Sequence, residues 1–219
     1  KDAFISSYGM NKIPQYLSLG VPTLTSSFVE RLEYKKNYWV TYTPYSLYRS
    51  RFIVLTMPIN QVHMLLKNSN ISTHELPNVE FEEFFTATFK GNSNNQKNAF
   101  NESKSFPWIC NNTLKGLRNK SDIFTVNLSS KLSKKYHQID PKQSTSVFQK
   151  LLKENGFKHV NHLSLHYWKY AYSSKQNNIS HIFDENINLG ICGDSFSTGK
   201  VDGAVQSSHK LYQDLLSSF

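Results

Sequence analysis

The stretch LGICGDSFSTGKVDGA, residues 189–204, decides how this chain is read. An apolar run ends at Gly193, a carboxylate follows at Asp194, and small or hydroxyl-bearing residues lead into a helical pattern near Val201. Two chemistries use such a strand, turn and helix start. Gly-Asp-Ser also opens a class of serine esterases, with Ser195 as the nucleophile. That reading needs a later Asp and His to raise the basicity of the serine. Only residues 196–219 follow, with a single histidine, His209, inside the terminal helix and no Asp-x-x-His pair. The other chemistry is a cofactor cradle. Asp194 is placed to accept hydrogen bonds from sugar-like hydroxyls, and Ser195, Ser197 and Thr198 offer small side chains and free amides. Gly199 and Gly203 let the main chain approach a ligand closely. The helix start turns its N–H groups and positive dipole end toward an anionic or electron-rich group.

The remaining composition limits the function class. At 219 residues, with 38% hydrophobic and 14% aromatic residues, the chain can build a core of one large or two small domains. Its net charge of +9 is scattered, and the densest run is Lys131, Lys134 and Lys135. A nucleic-acid binder gathers its charge in one stripe, so a basic surface favouring anionic small ligands is expected instead. Cys192 sits in an apolar run and reads as a buried thiol. With Cys110 as the one other cysteine, no disulfide and a reducing, cytoplasmic-type compartment are expected. No apolar run is long enough to span a membrane. The chain starts at Lys1 rather than at a methionine, so an incomplete N-terminus is expected and a targeting signal stays open.

Hydrophobic period supplies the element order. YGMNKIPQYLSLG carries Met10, Ile13, Tyr16 and Leu17 at helical spacing and stops at Gly20. TLTSSFVERLEY and NYWVTYT alternate as strands around the turn KKN. Phe52–Thr56 is continuously apolar or β-branched, which predicts a strand buried on both faces and ended by Pro58. NQVHMLLKN starts a helix. NVEFEEFFTATFK, IFTVNLSS and HLSLHYWKYAY read as strands. SVFQKLLKENG reads as a helix with a Ser146/Gln149 capping box, ended by Gly156. In the last helix, Val201, Ala204, Val205, Ser208, Leu211, Tyr212 and Leu215 share one face. His159, His162 and His166 cluster in HVNHLSLH, but without a nearby carboxylate they read as sheet-face histidines rather than a metal site. The fold class is α/β with an inserted α+β block. The expected domain parts are 9–60, 61–185 for the inserted block, and 186–219 returning to the first part.

GDSFSTGKVDGAVQSS resembles the C-terminal flavin-binding segment of the FAD-dependent amine-oxidase superfamily, most closely its renalase-like members. YGMNKIPQYL, FVERLEYKKNYWVTY, FIVLTMPINQVHMLL and HYWKYAY resemble further segments of that family in the same order, leaving 90–105 uncovered. The resemblance implies non-covalent FAD, since no Ser-Gly-Gly-Cys attachment site is present. It places Val29 at the adenine through backbone groups, and Thr56 and Pro58 near the pyrophosphate. Gly193 and Asp194 fall at the ribityl or pyrophosphate region, and Val201, Asp202, Gly203 and Ala204 at the flavin edge. Trp168 and Tyr170 fall in the substrate pocket. The flavin carries the chemistry, so no catalytic side chain is implied. Hydride passes from a dihydronicotinamide-type or amine donor to FAD and on to O2, giving hydrogen peroxide. Such enzymes begin with a strand, a Gly-x-Gly-x-x-Gly turn and a helix that hold the pyrophosphate. This chain has no such fingerprint. A first unit in the same or another chain is therefore implied, and this chain alone would hold FAD poorly. A non-catalytic remnant or interaction domain that has lost FAD is the alternative.

Overall fold

A computed structural model describes residues 6–72, 76–93, 98–116, 122–137, 141–173, 178–196 and 200–217, with the side chains of 141–143 left out. The chain divides into two compact units: Leu24–Glu82 with Tyr172–Phe219, and Lys1–Thr23 with Glu83–Ala171. The bounds expected from sequence lay after residues 60 and 185.

The unit that holds both chain-distant halves opens with an antiparallel meander of β1 (Arg31–Lys35), β2 (Tyr38–Tyr42) and β3 (Leu47–Ser50). Lys36, with φ of 53°, makes the tight β1–β2 turn that pairs Tyr34 with Trp39. The expected strand before it is shorter than its alternation suggested, because 23–30 form no strand and pairing starts only at Arg31. Trp39 is fully buried, and its indole N–H donates to the Ile187 carbonyl at 2.6 Å. A buried indole needs such an acceptor.

β4 (Ile53–Leu55) follows, then α2 (Ile59–Asn68), whose Ile59, Val62, Leu65 and Leu66 form one buried face. Ser69 ties this helix to the meander by accepting the Leu32 N–H at 2.8 Å and donating to the Leu65 carbonyl at 2.7 Å. After the other unit come β10 (Ile182–Asp184), β11 (Leu189–Ile191) and α6 (Lys200–Ser217). β11 runs parallel to β4, Leu189 beside Ile53 and Ile191 beside Leu55, so two strands far apart in sequence lie side by side as expected. β10 pairs antiparallel on the other edge of β11. β4 is not buried on both faces. Val54 is 43% exposed, because β4 is the edge of its three-stranded sheet among the described residues.

The last helix also differs from its predicted face. Gly203, Ser207 and Leu211 are its buried residues, while Val201, Val205 and Tyr212 are exposed. Close approach to β11 explains the choice. A Cβ on Gly190 would sit 2.9 Å from Leu211 Cδ2, so the helix lies where only small residues and one leucine fit. Asp214 fastens the far part of α6 by accepting from His181 Nε2 at 2.7 Å, and Ser180 Oγ lies 3.0 Å from the other ring nitrogen.

The second unit is a five-stranded sheet in the order β6–β7–β8–β5–β9: β5 (Phe81–Ser93), β6 (Phe100–Asn101), β7 (Trp108–Asn111), β8 (Ile123–Asn127) and β9 (Phe157–Ser173). Three of the predicted strands, β5, β8 and β9, are thus neighbours in one sheet. Phe85, Ala87 and Phe89 of β5 and Phe124 and Val126 of β8 point into a core closed by Phe148, Leu152 and Phe157. Its helices are α1 (Lys12–Leu17), α3 (Asn112–Lys115), α4 (Ser130–His137) and α5 (Pro141–Glu154). Ser133 of α4, fully buried, accepts the Phe85 N–H at 3.0 Å. α5 begins five residues before Ser146, so Ser146 stands inside the helix and the predicted capping box does not cap it. Gly156, at φ of 83°, follows its end. α1 buries nothing, and the predicted stripe of Met10, Ile13, Tyr16 and Leu17 is exposed.

Candidate functional site

The parallel pair β4–β11 brings two strand exits together. Cys192 N–H donates to the Leu55 carbonyl at 3.1 Å, the last rung before both chains turn away. Gly193 follows with φ of 146°, and a Cβ there would lie 3.3 Å from the Thr56 carbonyl oxygen. The position therefore wants glycine for its backbone angle and for the room beside Thr56. Its N–H donates to Ser207 Oγ of α6 at 3.1 Å, and Ser207 is fully buried. One hydroxyl thus fixes the turn against the last helix. The turn closes with Phe196 N–H on the Gly193 carbonyl, and Phe196 is buried in the core below.

Ser195 is 4% exposed, and its Oγ accepts the Ile59 N–H at 3.2 Å. Ile59 opens α2 directly after Pro58, whose side chain cannot cap the helix. Ser195 therefore supplies, from far along the chain, the acceptor that a helix start needs. Sequence reasoning gave Ser195 either a nucleophile's role or a backbone role, and the structure gives its side chain a capping role. His209, the base the esterase reading would need, is exposed on α6 with its Nε2 at 3.3 Å from Gln213.

Asp194 is the chemical oddity of the turn. It is half-buried, and burial pushes its carboxyl above the ordinary carboxylate range, offset in part by a hydrogen bond from its own backbone. Among the described residues it has no ion pair and no side-chain donor. A carboxylate kept partly out of water without a partner is disfavoured unless something outside the chain supplies donors. Cys192, just before the turn, is a free buried thiol whose pKa is raised by burial.

The other sequence-named residues fall as follows. Thr56 is exposed and Pro58 half-buried, both at the exit of β4. Val201 and Asp202 are exposed in the first turn of α6, Gly203 is buried and Ala204 half-buried. Ser197, Thr198 and Gly199 lie outside the described residues. Val29 is half-buried and packs on the core of the meander. Trp168 and Tyr170 belong to the other unit. There Trp168 is exposed on β9 with its ring 4.2 Å from that of His166, and Lys169 Nζ stands 5.4 Å from the Tyr170 ring centre. The structure thus brings Gly193, Asp194, Thr56 and Pro58 together within one unit. Sequence reasoning missed Ser207 and the side chain of Ser195. The spacing Gly203, Ser207, Leu211, small residues four apart before a leucine, is the signal that marks the packed side of α6.

No protein-family model and no curated protein matches the chain. Solved structures do. A provisionally named protoporphyrinogen oxidase from Exiguobacterium sp. 255-15 superposes with a TM-score of 0.70 at 11% identity, over 95% of this chain and 51% of that one. Cyclohexylamine oxidase from Brevibacterium oxydans IH-35A gives 0.64 at 11% identity, over 94% and 53%. Putrescine oxidase, in a structure bound to putrescine, gives 0.62 at 11%, over 95% and 53%. The chain spans about half the length of these structures. At this identity the likeness shows the fold alone: the mixed sheets and helices resemble part of the fold of these oxidases. Among the described residues no helix is long and apolar enough to cross a membrane.

Proposed function

We propose that the chain is the substrate unit and C-terminal cofactor segment of a flavin-dependent oxidoreductase. The observation that carries this reading is Asp194, half-buried and without a side-chain partner among the described residues, at the exit of a parallel strand pair. In open parallel sheets ligands bind outside the carboxyl ends of the strands. FAD, bound non-covalently, would supply hydride acceptance and delivery of the electrons to O2, with hydrogen peroxide as product. This chain's residues would do the holding. Asp194 would accept hydrogen bonds from the ribityl or pyrophosphate region, and Gly193 would keep the approach free of a side chain. The first turn of α6, Val201 to Ala204, would present backbone N–H groups to the electron-rich edge of the ring. Thr56 and Pro58 would flank the pyrophosphate path, and Val29 the adenine. Trp168 and Tyr170 would contribute to the donor's pocket, the donor being a dihydronicotinamide isomer, as in renalase-like enzymes, or an amine.

A separate strand–turn–helix unit would complete the flavin site. The edge position of β4 among the described residues supports this, since a parallel pair with an exposed valine on its outer strand is half of a sheet that is normally covered. The burial of Ser195 and its acceptance of the Ile59 N–H speak against the serine-esterase alternative.

The test is a flavin titration of the chain joined to a Gly-x-Gly-x-x-Gly unit. The wild type should bind FAD reversibly and release it on denaturation. Asp194→Ala removes a charge-assisted hydrogen bond, so affinity should fall about ten- to a hundredfold. A joined protein that folds and stays colourless in excess FAD overturns the proposal in favour of a non-catalytic remnant.

A further inference from the structure

β9 leaves the regular strand path twice. His159 and His162 have φ of 51° and 52°, in the left-handed region that residues with a Cβ seldom take. Asn161 Nδ2 donates to the His159 carbonyl at 3.0 Å and fastens the irregularity. Phe157, Val160, Leu163 and Leu165 all reach the core, although the first gaps between them are three residues rather than two. The extra residues are therefore turned outward, as strand bulges do. His159, Asn161 and His162 then line one cavity of about 360 Å³ together with Lys90, Gly91 and Asn92 of β5. Gly91 is needed there, because a Cβ on it would lie 3.2 Å from the Lys158 carbonyl oxygen, where the two backbones come close.

The lining is one ammonium, two imidazoles, two carboxamides and backbone. No carboxylate is part of it among the described residues. We propose that this cavity binds a phosphate group of a small ligand. Lysine, imidazole and carboxamide groups contributed by two strands suit an oxyanion with several acceptor oxygens, whereas a cationic amine would meet the Lys90 charge with no carboxylate among the described lining residues to balance it. The backbone irregularity places the donors, and local strain of this kind clusters at ligand sites. The chain's charge of +9 favours anions approaching it. The inference needs no flavin, so it stands apart from the function proposed above.

Inorganic phosphate, followed by ³¹P NMR at low salt, is the probe, with acetate and ethylammonium as comparisons. Lys90→Gln should weaken phosphate binding about two- to fivefold, the range an exposed charge supports. His159→Gly and His162→Gly suit the left-handed angles they replace, so these variants keep the fold. With all three changes, saturable binding should vanish while circular dichroism stays unchanged. No saturable response in the wild type overturns the proposal, as does undiminished binding in the folded triple variant. Acetate binding as tight as phosphate binding also overturns it, because the cavity is then a carboxylate site.

Discussion

Ser195→Ala separates a scaffolding hydroxyl from a nucleophile. The hydroxyl is 4% exposed and accepts the Ile59 N–H at 3.2 Å. Deleting it leaves the first amide of α2 without this acceptor in a place water does not reach. An unsatisfied buried donor costs about 1–3 kcal/mol, and loss of a helix cap about 0.5–2 kcal/mol. These are two descriptions of one bond and are not summed. At 3.2 Å the bond is at the long end of the N–H···O range, so a loss of about 1–2 kcal/mol is expected. With an m value near 2 kcal/mol/M, the urea midpoint should fall by about 0.5–1 M. Ser195→Thr keeps the acceptor oxygen and should recover part of the loss. Urea unfolding followed by far-ultraviolet circular dichroism reads the effect, beside an ester-hydrolysis assay on the same samples. An unchanged midpoint in Ser195→Ala refutes the capping role. Ester turnover in the wild type that vanishes in a stable Ser195→Ala refutes the whole reading of the turn.

Two further perturbations probe the same unit. Gly190→Ala sets a Cβ 2.9 Å from Leu211 Cδ2, in a side chain only 2% exposed, so overpacking should cost about 1–3 kcal/mol; adding Leu211→Ala should relieve that clash, and a double-mutant cycle in urea that comes out additive would show that strand and helix are not in contact there. Burial raises the folded-state pKa of Asp194 above its ordinary value of 3.8, so the native state holds this proton more tightly than the unfolded chain does; its contribution to stability is fully present below that value and is lost as pH rises through the higher native pKa. Asp194→Asn should therefore unfold later than the wild type at neutral pH, with the gap closing toward pH 3.8 and below, and equal stabilities across that range would remove desolvation as the cause.

Local letters told much of this, and the reason they stopped is physical. β5, β8 and β9 alternate because one sheet face meets a core and the other does not, so period two was visible in each. α2 shows its buried Ile59, Val62 and Leu66 at helical spacing for the same reason. α6 misleads because close packing selects small residues. Its buried stripe is Gly203, Ser207 and Leu211, while its valines and a tyrosine remain exposed. A hydrophobicity reading assigns burial to side-chain size and fails where the backbones must approach. β4 misleads in the opposite way. Its apolar run is that of a strand covered on both sides, yet among the described residues it is a sheet edge.

The site divides along the same line. Gly193 and Asp194 could be read as a turn because the constraint on Gly193 is its own φ angle and the exposure of Asp194 follows from the strand ending. What Ser195 does could not be read, since its partner amide, Ile59, is 136 residues away and the pair exists only because β4 and β11 lie parallel. That distance has a consequence for function. The turn carrying Asp194 is held from three directions: by the Leu55 carbonyl at its entry, by Ser207 at Gly193, and by Ile59 at Ser195. None of these bonds uses the Asp194 side chain. Among the described residues the surrounding contacts thus fix the backbone of the turn and leave one half-buried carboxylate uncommitted, the arrangement expected where a ligand, rather than the fold, supplies the donors.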